Sequence, residues 1–363
     1  MKITNIATIV TRIPYTCGGP LPTLGGKTWD TADTLLVRVD TDEGVTGWGE
    51  AFGYNIIPAT KAAIDEVIAP LYIGRDATQI EALSFEMQQK MHIFGRFGPA
   101  IFAIGGIDIA LWDIAAKRAG KPLYQLLGGS AKKELTCYAS LMRYTDPRIV
   151  ADNTARAVSQ GFELVKLHEI TIEATRAARA AAGPEIALML DTNCPWSAKD
   201  AVDMAKKLRE FELYWLEEPC WPPENGAALA RVRREGGIPI AAGENWTTST
   251  QFHQMFEAGA VDFAQFSPTK CGGISEARKI IALAAAHNVA IAPHTPYFGP
   301  GFLAGLHLNA AQPQDVLVEW LYFDLETTLY WGAILPSKGK VNVPQGPGLG
   351  YDPDAKLVAK YGR

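Results

Sequence analysis

The sequence predicts an α/β barrel of the TIM type that follows a smaller α+β domain, and three observations lead to this prediction. From Glu134 onward, short runs rich in Val, Ile and Leu alternate with amphipathic helical patterns, which is the rhythm of repeated strand–helix units. Eight such runs occur, the number that closes a parallel barrel. The length of 363 residues leaves room for a second domain, because domains usually contain about 100 to 200 residues.

The first part of the chain predicts the α+β domain. A stretch rich in Gly and Pro at 17–26 comes before two apolar runs, 34–39 and 45–48, which flank a turn and are typical of strands. Helical patterns then cover 60–71, 81–91 and Pro99–Arg118. We set this capping domain at residues 1–128.

The barrel elements follow at intervals of one strand–helix unit. Helical patterns at 198–210, 250–258 and 275–287 separate some of the strands, and the final unit departs from a helix. The predicted strands are 135–140, 164–168, 187–193, 214–219, 238–244, 262–268, 289–295 and 316–320. We assign 129–323 to the barrel and 324–363 to a C-terminal segment, whose VNVP strand and PQGPGLG turns we expect to return to the first domain.

A doubly wound open sheet is the alternative architecture. It would carry a Gly-rich phosphate loop after its first strand, and no G-x-G-x-x-G lies between a strand and a helix in this sequence. Eight evenly spaced strands therefore favour the barrel.

Composition and charge exclude several classes of protein. Apolar residues make up 48% and charged residues 20%, which is typical of globular proteins. The net charge of −5 without a basic run makes nucleic acid an unfavourable partner, and we find no signal peptide and no apolar run of about 20 residues that would span a membrane. The five scattered cysteines indicate reduced thiols, so we expect a cytoplasmic protein.

Three carboxylates predict a metal site. Asp191, Glu217 and Glu244 each end a predicted strand, 26 and 27 residues apart, so they come from consecutive strands at the face where barrel enzymes keep their sites. Three carboxylates would repel one another unless a divalent cation lay between them, and oxygen ligands suit Mg²⁺. The alternative is three unrelated solvated acids.

Other titratable residues continue the same period. Lys166 and His168 are two apart on one strand and therefore point to the same side, while His294 and Glu319 end the seventh and eighth strands. We expect Lys166 and His168 on one wall of the metal site and His294 on the other. For His168 and His294, a purely structural role is the alternative.

With these residues, the sequence resembles the enolase superfamily, and within it the mandelate racemase subgroup. The resemblance covers nearly the whole chain. It rests on GIDIALWDIAAKRAGKPLYQLLGG (106–129), V-K-L-H, L-D-T-N, W-L-E-E-P, G-E-N, K-C-G-G, P-H, V-E-W and G-P-G-L-G, in that order and at barrel spacing.

The resemblance implies a modified barrel of the (β/α)₇β type with an α+β capping domain, and Mg²⁺ on the three carboxylates. Family members bind a small-molecule carboxylate and remove its α-proton to form an enediolate. By position, Lys166 would hold the substrate carboxylate, Asn193 would support it, and Glu319 would be protonated in order to donate to it. A homo-oligomer is also expected.

Two departures from the family pattern concern the acid and base groups. The usual second-strand Lys-x-Lys is Lys166-Leu167-His168 here, and imidazole can still act as a base. The sixth-strand Asp that orients the seventh-strand His is Ser267, which can bond an imidazole but cannot stabilise its cation as a carboxylate does. We count Ser267 and Lys270 among the substrate-binding candidates; for Lys270 the role is positional or electrostatic.

The capping domain is expected to set specificity through two loops, 17–29 and 51–55. Trp29 and Tyr54 would contribute aromatic walls, although packing of cap against barrel explains them equally well. His92 is a further candidate for substrate contact, because its segment could reach the boundary between cap and barrel.

The predicted activity is Mg²⁺-dependent dehydration of a sugar acid to a 2-keto-3-deoxy acid, a lyase reaction. Racemisation or epimerisation of a 2-hydroxy acid and cycloisomerisation of a lactone or anhydro acid use the same groups. A non-catalytic barrel that acts as a binding or scaffold protein is the alternative from another class.

Overall fold

The computed structural model describes residues 1–130 and 132–363. The chain folds as the predicted modified TIM barrel with an antiparallel α+β cap. The cap contains strands β1 (Ile3–Thr16), β2 (Thr23–Leu24), β3 (Lys27–Thr28), β4 (Thr31–Thr41) and β5 (Thr46–Ala51), and helices α1 (Ile57–Ala62), α2 (Ala69–Tyr72), α3 (Ile80–Lys90), α4 (Pro99–Arg118) and α5 (Leu123–Leu126). A π-helical segment, Ala63–Ile68, joins α1 to α2.

The longest strand of the cap, β1, has no counterpart in the sequence prediction. It spans 14 residues and pairs antiparallel with β4, which pairs with β5. Its first half does not alternate cleanly between buried and exposed residues, so the period-2 signal that identifies a half-buried strand is weak there.

Helix α4 packs the cap sheet against the barrel. It is long and apolar enough to cross a membrane by length and composition, which the sequence prediction missed, but 78% of its apolar window is buried inside the protein. A Cβ on Gly49 of β5 would lie 1.9 Å from the carbonyl oxygen of Gly106, so only glycine lets the sheet lie this close to the helix. On the opposite side, the buried carboxylate of Asp108 accepts hydrogen bonds from the backbone and hydroxyl of Ser275.

The barrel strands all occur at predicted positions and pair in parallel, in the order β12-β11-β10-β9-β8-β7-β6-β13. Because the strands are parallel, their carboxyl ends meet at one face of the barrel. The elements are β6 (Glu134–Ser140), α6 (Pro147–Ser159), β7 (Leu164–Leu167), α7 (Ile172–Ala182), β8 (Ala187–Asp191), α8 (Ala198–Leu208), β9 (Leu216–Glu217), α9 (Gly226–Gly236), β10 (Ile240–Ala242), α10 (Thr248–Glu257), β11 (Phe263–Ala264), α11 (Pro268–Cys271), α12 (Ile274–Ala286), β12 (Ala290–Ile291), α13 (Pro300–Ala310) and β13 (Val318–Leu321).

The C-terminal segment contacts both parts of the molecule. Strand β14 (Asp324–Leu325) pairs with the end of β1, and helix α14 (Ala355–Tyr361) lies near β1 as well. Strand β15 (Lys340–Asn342), however, pairs antiparallel with the start of β6, so the expectation that the VNVP strand returns to the first domain is wrong. The reason is that residues 134–136 of β6 precede its pairing with β7 and β13, which leaves their backbone groups available.

Candidate active site

The carboxyl ends of the barrel strands bring the predicted polar residues to one face. Lys166 lies on β7 and His168 just beyond it, Asp191 ends β8, and Glu217 ends β9. The remaining residues stand at the ends of the later strands: Glu244 after β10, His294 after β12, and Glu319 within β13. All seven are buried or nearly so.

Lys166 is the centre of this cluster. Its Nζ lies 2.8 Å from Oε1 of Glu217, 2.8 Å from Oε1 of Glu319 and 3.6 Å from Oδ2 of Asp191. Burial alone would lower the pKa of this lysine, but Glu217 and Glu319 outweigh it and hold the pKa well above its ordinary value. Lys166 is therefore an ammonium that neutralises part of the charge of the cluster.

His168 has one ring nitrogen toward the backbone and one toward the cluster. Its Nδ1 faces the carbonyl oxygen of Leu141, and its Nε2 lies 3.1 Å from Oδ2 of Asp191. Because a carbonyl oxygen only accepts hydrogen bonds, Nδ1 carries a proton. Nε2 is consequently the atom that can take up or release a proton at the cavity.

His294 lies on the opposite wall. Its Nε2 is 2.6 Å from Oε2 of Glu244, and its Nδ1 is 3.4 Å from the hydroxyl of Tyr297. That hydroxyl in turn lies 2.5 Å from Oγ of Ser267, which is fully buried and also faces Thr269. Tyr297 thus stands between Ser267 and the imidazole, and Ser267 does not line the cavity as a substrate-binding residue.

The neighbours of Glu319 favour its carboxylate form in this arrangement. Its Oε1 accepts a hydrogen bond from Ser140 as well as facing Lys166. Burial acts to raise its pKa, but the charge of Lys166 more than compensates and keeps the pKa below its ordinary value. That Glu319 is protonated when substrate is bound and donates to it stays a prediction.

The three strand-end carboxylates fit a hard divalent cation by their chemistry. Asp191, Glu217 and Glu244 supply only oxygen donors, the ligand type that Mg²⁺ prefers. Burial, followed by the neighbouring charge of Asp191, raises the pKa of Glu217 well above its ordinary value, as expected where carboxylates are crowded out of water. These three residues could hold Mg²⁺ in a site that opens toward His168 and His294.

Asn193 and Arg143 connect the carboxylates with the wall of the cavity. Asn193 donates through both its backbone and its side-chain nitrogen to Oδ1 of Asp191. Arg143 donates to the backbone oxygens of His168 and Thr192 and to the side-chain oxygen of Asn193. The sequence analysis missed Arg143, although its position just after β6 is the kind of strand-end position that marked the other residues.

A cavity of about 630 Å³ lies over this cluster, within the range of about 300–1,000 Å³ typical of small-molecule sites. His168, His294, Glu244, Glu319 and Asn193 line its barrel side. The cap contributes residues 20–24, together with Trp29 and Tyr54, whose rings lie 5.0 Å apart. The two predicted cap loops therefore do reach the mouth of the barrel.

Two other predicted substrate-binding residues lie outside this cavity. His92 is exposed, and its Nδ1 faces the backbone oxygen of Gln89 within the same turn. Lys270 is buried with its Nζ 4.8 Å from the centre of the Phe52 ring and 3.4 Å from Oδ1 of Asn245. Neither lines the cavity wall, because His92 points to solvent and Lys270 packs beneath the cap.

Comparisons with known proteins agree with this fold. Residues 6–128 match the family described as mandelate racemase / muconate lactonizing enzyme, N-terminal domain, and residues 150–357 match the enolase C-terminal domain-like family. The chain is 34% identical to D-galactarolactone cycloisomerase of Agrobacterium fabrum over 90% of both chains, and 31% identical to arabinonate dehydratase of Saccharolobus solfataricus over 88% of both. A racemase from Streptomyces coelicolor, solved with bound magnesium, is 28% identical and superimposes with a TM-score of 0.88 over 99% of this chain and 100% of its own.

Proposed function

Because the chain belongs to the enolase superfamily, and within it to the mandelate racemase / muconate lactonizing enzyme family, we propose that it is a Mg²⁺-dependent sugar-acid dehydratase. The reaction removes the proton next to the carboxylate and expels the β-hydroxyl as water. The enol that remains tautomerises to a 2-keto-3-deoxy acid. Relatives named as a dehydratase and a cycloisomerase support this proposal, with isomerase chemistry as the alternative.

One observation carries this proposal: two imidazoles face one cavity from opposite walls. Dehydration needs a base for the α-proton and an acid for the departing hydroxyl. His168 would supply the base through Nε2 once Asp191 binds Mg²⁺ instead of the imidazole, since Leu141 occupies its other nitrogen. His294 supplies the proton to the hydroxyl, so that the C–O bond breaks with release of water.

The charge on the substrate carboxylate rises as the α-proton leaves. Bound at Asp191, Glu217 and Glu244, Mg²⁺ would polarise this carboxylate and lower the cost of proton removal. Lys166 offers a fixed ammonium on the same side, and Asn193 keeps Asp191 in place through two hydrogen bonds. Such groups act by being oriented before the charge develops.

Cycloisomerisation is the second candidate, and the identity of 34% to a lactone cycloisomerase favours it. It would use the same base, but the departing oxygen would stay tethered to the product as a ring opens. Purified enzyme with Mg²⁺ should be incubated with a panel of aldonic and aldaric acids and with their lactones and anhydro derivatives. Formation of 2-keto acid and water from open-chain acids supports dehydration, turnover of the cyclic compounds alone supports cycloisomerisation, and an epimer without keto acid contradicts both.

A further inference from the structure

A second cluster of metal-ligating side chains lies on the outer helices of the barrel. His253 and Glu257 are four residues apart on α10, so they project from the same face of that helix. His287 follows the last residue of α12, the neighbouring helix. One ligand atom from each of the three residues lies within 4.8 Å of the others.

These three side chains are not committed to other partners. The rings of His253 and His287 are 5.7 Å apart between centroids, and Nε2 of His287 is 3.9 Å from Oε1 of Glu257. Within residues 1–130 and 132–363, none of the three side chains takes part in a hydrogen bond. All are at least partly exposed, so modest rotations would bring their ligand atoms to the separation of about 3.3 Å found around a tetrahedral zinc ion.

The side chains of this surface cluster suit a different cation from the one that the three barrel carboxylates suit. Two imidazole nitrogens and one carboxylate oxygen are ligands typical of Zn²⁺, Co²⁺, Ni²⁺ or Cu²⁺. Mg²⁺ and Ca²⁺ prefer oxygen ligands alone. The cluster also shares no residue with the cavity at the barrel mouth, so the two sites would fill independently.

We propose that His253, Glu257 and His287 form a surface site for a borderline divalent transition metal such as Zn²⁺, which links α10 to α12. Water would complete the coordination, because only three protein ligands are present. The bound ion would fix the end of α12 to the last turn of α10, a contact that the protein otherwise makes through the packing of Phe256 against His287. This proposal does not rest on the proposed function.

Calorimetric titration with ZnCl₂ at saturating Mg²⁺ tests the site. Four proteins are compared: wild type, His253→Gln with His287→Gln, Glu257→Gln, and His92→Gln as a control for an exposed histidine elsewhere. Zinc that enters the barrel site contributes equally to all four. We expect wild type and His92→Gln to bind one more zinc than the double variant, and Glu257→Gln to bind that zinc at least tenfold more weakly. Equal stoichiometry for wild type and the double variant overturns the proposal.

The same proteins give a second, spectroscopic readout. Cu²⁺ bound at the cluster of wild type should show hyperfine coupling to two imidazole nitrogens, and an additional variant, His253→Gln alone, should show coupling to one. Without added zinc or copper, and with Mg²⁺ present, all variants should keep the wild-type melting temperature and activity, since these side chains are at least partly exposed and none of them lines the cavity. A copper spectrum that is unchanged in the double variant also contradicts the site.

Discussion

Nε2 of His294 lies 2.6 Å from Oε2 of Glu244. His168 faces a different carboxylate, Asp191, with its own Nε2. The two imidazoles are thus anchored on separate strands and on separate carboxylates, so rotation of a side chain cannot interchange them. Their roles should therefore separate cleanly when each is replaced.

We expect His168→Asn to lower the rate at which the substrate α-proton exchanges with D₂O by about 10²–10⁴-fold, which is the usual contribution of a general base. His294→Asn should retain exchange and lose formation of keto acid, because the departing hydroxyl then lacks its proton donor. Deuterium incorporation by NMR and keto-acid release measure the two steps. If His294→Asn alone loses exchange, the roles of the two residues are reversed.

Tyr297→Phe tests the link between His294 and Ser267. Removing the hydroxyl leaves Nδ1 of His294 without its neighbour at 3.4 Å, so the ring is less well oriented. We expect kcat to fall about 10- to 100-fold, as for residues that orient a ligand or base, with KM little changed. Tyr351→Phe, which alters an exposed tyrosine, is the control, and equal kinetics for the two variants would argue against the link.

Metal removal should inactivate the enzyme reversibly. A chelator should abolish turnover, and added Mg²⁺ should restore it, while Asp191→Asn, Glu217→Gln and Glu244→Gln should stay inactive yet folded by circular dichroism. The exposed Glu173→Gln serves as the matched control. Activity that persists after exhaustive chelation would disprove the three-carboxylate assignment.

Replacing Glu217 by Ala should destabilise the protein more than replacing it by Gln, because Glu217 is a hydrogen-bond partner of the buried Lys166. Glu217→Ala would leave this buried ammonium without a partner that lies at 2.8 Å, and breaking a buried pair typically costs about 3–5 kcal/mol. Glu217→Ala should therefore unfold at lower urea concentration than Glu217→Gln. Equal midpoints would show that Glu319 and Asp191 suffice to hold Lys166.

The raised pKa of the buried Glu50 side chain should make the stability of the protein depend on pH. It lies on β5, accepts a hydrogen bond from the backbone nitrogen of Gly301, and burial raises its pKa to about 8. Between the unfolded pKa of about 4.5 and the folded value, the folded state binds the extra proton, so the contribution of Glu50 to stability falls as pH rises through this window. Above pH 8 the loss is complete.

Glu50→Gln removes this titration and preserves the shape of the side chain. Relative to wild type, its free energy of unfolding should increase between pH 5 and pH 8, by on the order of 3–5 kcal/mol. Urea titrations at the two pH values measure the difference. The exposed Glu66→Gln is the control, and a difference that stays constant with pH would show that Glu50 is ionised in the folded protein.

Sequence periodicity predicted the positions of the barrel strands, because each strand–helix unit repeats the same apolar pattern. It also predicted which polar residues meet at the barrel mouth, since parallel strands place their carboxyl ends on one face. The pairing of β15 with β6 was not predictable in this way. It depends on which backbone groups at the start of β6 remain free, and that is a property of the assembled sheet.

The hydrogen-bond networks between side chains could not be predicted from the sequence either. The position of Ser267 indicated a missing carboxylate, but only the fold shows that the hydroxyl of Tyr297 lies between Ser267 and His294. Arg143 donates to the backbone oxygens of His168 and Thr192, which directly follow β7 and β8. The contacts of Arg143 join residues about 25 to 50 positions apart and leave no periodic signal along the chain.

The pairing of β1 with β14 bears on how the protein is made. Tyr15 and Leu325 are partners across about 310 positions, so a chain that leaves the ribosome N-terminus first cannot complete the edge of its cap until the barrel has been synthesised. Contacts of such long range slow folding. This edge of the cap sheet is therefore completed only after all eight barrel strands have been synthesised.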